Sequence, residues 1–205
     1  STHCISSAAS DVYKRQGAVS RKKTEKDKKV WISTLIQMVA IVVIVLLLRT
    51  FVIGTIYVKG SSMEPNFHHG DFLVINKLET RVASPQVNDI VICKLDNVEY
   101  QENIIKRVIG LPGDEIDLRN NGSGIYHLYI NGTLVEEPYI AEPMQDKGDI
   151  TYPFVVPEDC YFVMGDNRNA STDSRRQSIG AIEKEDIMGR VVLRLYPFSD
   201  IGMVK

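Results

Sequence analysis

Three segments of this chain carry side chains that could do chemistry and that hydrophobic burial does not explain. The first is Lys59-Gly60-Ser61-Ser62-Met63-Glu64-Pro65. Gly60 frees the backbone and Pro65 stiffens the exit, so a small hydroxyl residue is held on a shaped turn. A serine so held is a candidate nucleophile if a base stands beside it. The second is Asn103-Ile104-Ile105-Lys106-Arg107-Val108-Ile109-Gly110. Read with period two, Lys106 shares a face with Ile104 and Val108, and Arg107 shares the other with Ile105 and Ile109. Whichever face turns inward, a cation enters an apolar row. Burial lowers a lysine's pKa by up to about 3–5 units, which is what a lysine needs to accept a serine proton near neutral pH. The third is residues 164–175, MGDNRNASTDSR, polar after an apolar run. Asp173 and Arg175, with hydroxyls at 171, 172 and 174, could brace a site through charge-assisted hydrogen bonds.

Each segment also has a plainer reading: a serine-rich turn, an edge strand whose cations snorkel to solvent, and a surface loop. Other chemistries find no residues. There is no G-x-S-x-G elbow, and the histidines past the leader are His68, His69 and His127, the first two in a polar turn before Gly70-Asp71. Arg168 and Ala170 interrupt what would otherwise read as a calcium loop at 166–170. No cysteine–histidine spacing suits zinc, so neither metal nor cofactor is expected. Cys93 and Cys160 permit one disulfide or two buried free thiols. Acidic and basic residues nearly cancel, 26 against 24, which leaves no footprint for nucleic acid.

The elements that must position these residues divide the chain. Residues 1–16 are set aside: 6–16, SSAASDVYKRQ, read as the translation of a sequencing-library adapter, the alternative being a disordered leader. Residues 17–29 are basic, with Arg21, Lys22, Lys23, Lys26, Lys28 and Lys29 against Glu25 and Asp27. Residues 30–48 hold no charge, and a helix of that length spans roughly 28 Å, close to a bilayer's hydrocarbon core. The transmembrane helix is placed at 30–53. No small-residue cleavage pattern follows it, as a removable leader would require. The basic cluster outweighs Arg49 and Lys59 beyond the helix, which places the N-terminus in the cytoplasm and the rest of the chain outside.

Past Tyr57 the pattern is mainly β. Short apolar or alternating runs at 72–75, 89–93, 104–109, 125–130, 133–135, 154–156, 160–164 and 191–195 are punctuated by turn signals such as HHGD, LPGD and MGDN. Asn131-Gly132 predicts a type I′ hairpin turn. The expected architecture is one transmembrane helix, a β-rich catalytic core at 54–116 and 158–205, and a small β insertion at 117–157.

In this order the anchor, GSSMEP, GDFLVINK, IIKRVIGLPGD and YFVMGDNRNASTDSR resemble the bacterial type I signal peptidases, serine endopeptidases with a Ser-Lys dyad. The resemblance implies that fold, Ser62 as nucleophile and Lys106 as general base. It implies Ser171 as a hydroxyl orienting the lysine, Asp173 and Arg175 as a supporting pair, and Asp166 and Arg168 as parts of the same structural motif. The Ser62 N–H would contribute to the oxyanion hole, while Gly60 stands where some relatives carry a further serine donor. A pocket for the small residue before the scissile bond would fall to Val58, Met63, Phe67, Ile104 and Ile105. Pro65-Asn66-Phe67 replaces the family's Pro-Thr-Leu, so Phe67 is expected to narrow or reshape that pocket. The implied partners are signal peptides of exported preproteins and membrane lipid, and the implied state is a monomer. The substrate is expected to add as a strand beside 58–60 and 104–106. Lysine rather than histidine at 106 favours the bacterial branch over archaeal and endoplasmic-reticulum relatives. Three other readings stay open: a non-catalytic β module on a membrane stalk, a self-cleaving Ser-Lys repressor, which would need a DNA-binding segment, and a peptidase dedicated to a few substrates.

Overall fold

The structure is a computed structural model that describes residues 4–96 and 101–204. Helix α1 (Cys4–Phe51) contains one stretch, Lys28–Phe51, long and apolar enough to cross a membrane. Its large side chains from Val30 to Leu48 are exposed on every side, the pattern of a helix whose solvent is lipid rather than of one packed on a core. The hydroxyl of Thr34 donates to the Val30 carbonyl at 3.0 Å, so this polar group is satisfied within the helix. The helix stops at Phe51, two residues before the expected boundary, and Ile53 already begins a strand.

Residues 49–205 form a separate compact unit. Its main sheet contains β1 (Ile53–Tyr57), β2 (Phe72–Asn76), β3 (Ile90–Asp96), β4 (Gln101–Gly110), β9 (Cys160–Met164), β10 (Ile182–Glu183), β11 (Ile187–Tyr196) and β12 (Gly202–Met203). The order is β1-β2-β11-β3-β4-β9-β10, with β12 beside β11, and the pairs are antiparallel. A second sheet, order β7-β6-β5-β8, contains β5 (Glu115–Asn120), β6 (Tyr126–Ile130), β7 (Thr133–Leu134) and β8 (Phe154–Val155). The fold is mainly β, as the turn punctuation implied.

The near-continuous apolar run of β3 follows from burial on both faces. Ile90 and Ile92 pack with Val58, Met63, Phe67 and Ile105 on one side. Val91, Cys93 and Leu95 pack with Val108, Tyr161 and Val163 on the other. A third cluster joins Ile109, Phe162 and Met164 of the main sheet to Ile116, Leu118 and Leu128 of the second. The Asn131-Gly132 turn between β6 and β7 has φ of 52° and 77°, as a type I′ turn requires. Cys93 is buried, Cys160 is partly exposed, and both are free thiols.

Strands β1, β5, β10 and β12 and helix α2 lie outside the expected runs. Strand β1 follows the membrane helix with hardly a turn between them and so merges with it as one apolar run. Helix α2 (Lys77–Val82) is too short for periodicity to show. Its signal is the cap: Asn76 Oδ1 accepts from the N–H groups of Leu78 and Glu79, and Asn76 Nδ2 donates to Glu79.

Candidate active site

Ser62 sits in the turn that leaves β1. Val58 closes the base of that turn, donating to Asp71 O at 2.9 Å and accepting from Gly70 N at 3.0 Å. Gly60 takes φ +85°, a conformation that few other residues adopt without strain, and its N–H donates to His69 Nδ1 at 3.3 Å. Among the described residues, none accepts from the N–H of Ser62. Met63, next in the chain, is buried and anchors the turn in the core.

Lys106 lies in β4 opposite Val91 of β3 and is 3 % exposed. Its Nζ donates to Ser62 Oγ at 3.0 Å. Burial pulls the lysine well below its ordinary range and the Arg175 charge adds to this, while Asp173, Cys93 and Glu102 oppose it. The same burial pushes the Cys93 thiol up to about 12, so it stays a neutral neighbour of the lysine.

Arg107, next in the strand, turns to the opposite face from Lys106. It too is buried, because β4 is an interior strand covered on both faces. Its Nε and Nη2 each donate to Asp166 at 2.7 Å, and its Nη1 to Asn88 O at 3.1 Å. The guanidinium also lies 4.1 Å from the ring centre of Tyr139. Asp166 and Arg168 are therefore not paired with each other: Arg168 is held by Glu137 at 2.5 and 2.8 Å and donates to Gly165 O at 3.0 Å.

The segment after β9 supports the serine turn from below. Asn167 donates its backbone N–H to Ser62 O at 3.0 Å and its side-chain amide to Ser61 O at 3.2 Å. Asn66 donates to Asp166 Oδ2 and to Tyr139 O, each at 2.8 Å. Asp173 is fully buried and accepts from Gly165 N at 3.0 Å and from Arg175 Nε and Nη2 at 2.8 and 2.9 Å. Burial alone would raise its pKa, but the Arg175 hydrogen bonds and charge outweigh that and hold the carboxyl below the usual range. Ser171 Oγ is buried without a well-formed hydrogen bond, yet lies close enough to favour the charged form of Asp173.

A cleft of about 620 Å³ opens over the pair, with residues 56–62 on one wall, 102–106 on the other, and Ala170 and Thr172 at its end. Val58, Ile104 and Ile105 are among its lining residues. Phe67 is not: it is 2 % exposed in the core with Ile90 and Ile92, its ring 4.7 Å from the Arg194 guanidinium. Met63 is likewise absent from the lining. Phe67 therefore packs with Met63 in the core cluster and not in the cleft.

Sequence reasoning missed Asn66, Tyr139, Glu137 and Asn167. The first three become neighbours of Asp166 and Arg168 through contacts up to 100 residues apart, which no local pattern records. Among the described residues no His, Cys, Asp and Glu grouping could hold a metal ion.

A serine and a buried lysine in hydrogen-bond reach, beneath a cleft on a β scaffold that follows an apolar helix, are the parts of a membrane-associated serine endopeptidase. The comparisons with known proteins give the family. Residues 31–196 match the family described as Signal peptidase, peptidase S26, and the chain belongs to it. Signal peptidase I of Bacillus licheniformis is 37 % identical over 190 residues, covering 88 % of this chain and 96 % of that one. Signal peptidase I S of Bacillus subtilis is 38 % identical over 168 residues, covering 78 % and 86 %. The crystal structure of a signal peptidase I from Enterococcus faecalis V583 is 30 % identical and covers 52 % of this chain and 96 % of that one, with a TM-score of 0.41.

Proposed function

We propose that this chain removes N-terminal signal peptides from exported preproteins, hydrolysing the bond after a small residue of an Ala-x-Ala pattern at the outer face of the cytoplasmic membrane. The observation that carries the mechanism is the 3.0 Å contact between Lys106 Nζ and Ser62 Oγ with the lysine 3 % exposed. Burial makes a neutral amine available. Lys106 takes the Ser62 proton as Oγ attacks the carbonyl, and a tetrahedral oxyanion forms. The free Ser62 N–H is its backbone donor; Gly60 supplies no side-chain donor, and water completes the hole. The lysine returns its proton to the leaving amine, giving an acyl-enzyme. The same lysine then activates the water that hydrolyses the ester. Asp173 and Arg175 fix the floor of the site, and Ser171 is the buried hydroxyl available to orient Lys106.

The basic residues 17–29 stay in the cytoplasm, the helix spans the membrane, and residues 54–116 with 158–205 form the catalytic core outside, with 117–157 as its insertion. The anchor then holds the dyad where a signal peptide's cleavage site emerges. Cleavage of a preprotein in detergent by wild type, Ser62→Ala and Lys106→Met tests this reading. Both variants are expected to lose cleavage, and full activity in either overturns the mechanism.

A further inference from the structure

We propose that Glu102 reads the fifth substrate residue before the scissile bond and favours a basic side chain there; this rests on the signal-peptide reading above. Two strand edges bound the cleft. β4 pairs with β3 from Gln101 to Arg107, but on its other side β9 joins only from Arg107 onward. Among the described residues, 101–106 therefore present an open edge to the cleft, and β1, which pairs only with β2, presents another. An extended peptide fits between these edges. Because β9 occupies the edge beyond residue 106, a peptide whose reacting carbonyl lies at Ser62 and Lys106 can extend along β4 only toward Glu102.

The portion of substrate held there is the one before the scissile bond. That portion stays attached as the acyl group while the amine product departs and water enters, so it is the one that needs a fixed wall. It must then run parallel to β4, its first residue at Lys106, its third at Ile104 and its fifth at Glu102. These β4 side chains share one face and are separated by about 6.6 Å per step, or about 13 Å from Lys106 to Glu102. Half-buried Ile104 leaves room for a small third residue. Glu102 is exposed and, among the described residues, forms no ion pair. Among the described residues lining the cleft it is the one carboxylate. Its charge also acts on Lys106, consistent with the two sharing one face.

The test uses the full chain in detergent and synthetic peptides with Ala at the first and third positions and Lys, Gln or Glu at the fifth. We expect kcat/KM to fall in the order Lys, Gln, Glu, with about a five- to tenfold spread between the extremes, the size an exposed ion pair and the matching repulsion allow. Raising salt to 1 M should shrink the spread. Glu102→Gln should bring the three within twofold, and Glu102→Lys should reverse the order. Comparing peptides within each variant removes any common change in rate through Lys106. A flat series in wild type, or an unchanged order in Glu102→Gln, overturns the inference while leaving the peptidase reading intact. Cleavage of the whole series by Ser62→Ala would instead overturn that reading.

Discussion

The backbone N–H of Asn167 donates to the carbonyl of Ser62 at 3.0 Å, so the segment that follows β9 fixes the height at which the serine meets Lys106. Gly165 makes this approach possible. A Cβ there would stand 2.5 Å from Ser62 O and 2.3 Å from Ser171 Oγ. Gly165→Ala is therefore expected to push the serine turn away and lower kcat by roughly 100-fold, the scale of a misplacement near 1 Å. Gly202→Ala, where a Cβ meets nothing within 4 Å, should leave kcat and stability within about 0.5 kcal/mol of wild type. Single-turnover rates and thermal melts of both variants check the contrast.

Arg107 and Asp166 form a two-pronged buried pair, with side chains 6 % and 0 % exposed. Removing one partner leaves an uncompensated buried charge, which costs about 3–5 kcal/mol. Asp166→Leu should lower the unfolding free energy by that amount in a denaturant titration. Arg107→Met combined with Asp166→Leu should recover part of the loss, since an apolar pair of similar volume removes the stranded charge.

Phe67 packs in the core rather than in the cleft. Phe67→Ala should cost about 3–5 kcal/mol of stability, measured by denaturation. Its preference between Ala and Val at the first position before the scissile bond should match wild type within about twofold, the latitude left by a contact that acts only through the backbone.

Lys106 has a pKa lowered mainly by burial. Between its folded pKa and the ordinary lysine value near 10.5, the unfolded chain binds more protons than the folded one. Stability from this group therefore rises with pH across that window. Its cost is fully present below the folded pKa and fades as pH approaches the unfolded value. Lys106→Met should raise Tm at neutral pH, and the gain should shrink toward pH 10.5. The kcat/KM of wild type should rise with pH through the folded pKa, as the neutral amine appears.

Much of the fold was legible because strand and turn signals are local. The Asn131-Gly132 hairpin and the apolar run of β3 follow from a few adjacent residues. Lys106 stood out as a candidate because it sits in an alternating apolar row, but that row suits a snorkelling edge-strand cation as well, and only the ordered motifs of the family resemblance singled it out. Its partner Arg107 was not read as buried, because period two assigns only one face inward and cannot show that β4 is covered on both. Strand β5, Glu115–Asn120, escaped notice because its alternation is half polar and it follows a turn that seemed to end the core. Phe67 was misplaced because a motif position says nothing about which way a side chain turns after Pro65. The links from Asn66 to Asp166 and Tyr139, and from Arg168 to Glu137, join segments that only the tertiary fold brings together.

In the proposed mechanism Lys106 removes the proton of Ser62, and formation of the acyl-enzyme reads that transfer together with the lysine's return of the proton to the leaving amine. Wild type and Lys106→Met would be mixed with excess preprotein, quenched in acid at successive times, and the signal-peptide ester on Ser62 followed by intact mass. Wild type should accumulate the ester, and Lys106→Met should form it at least about 100-fold more slowly, the smallest factor expected for losing a general base. An ester forming in Lys106→Met at a rate within tenfold of wild type would contradict the account.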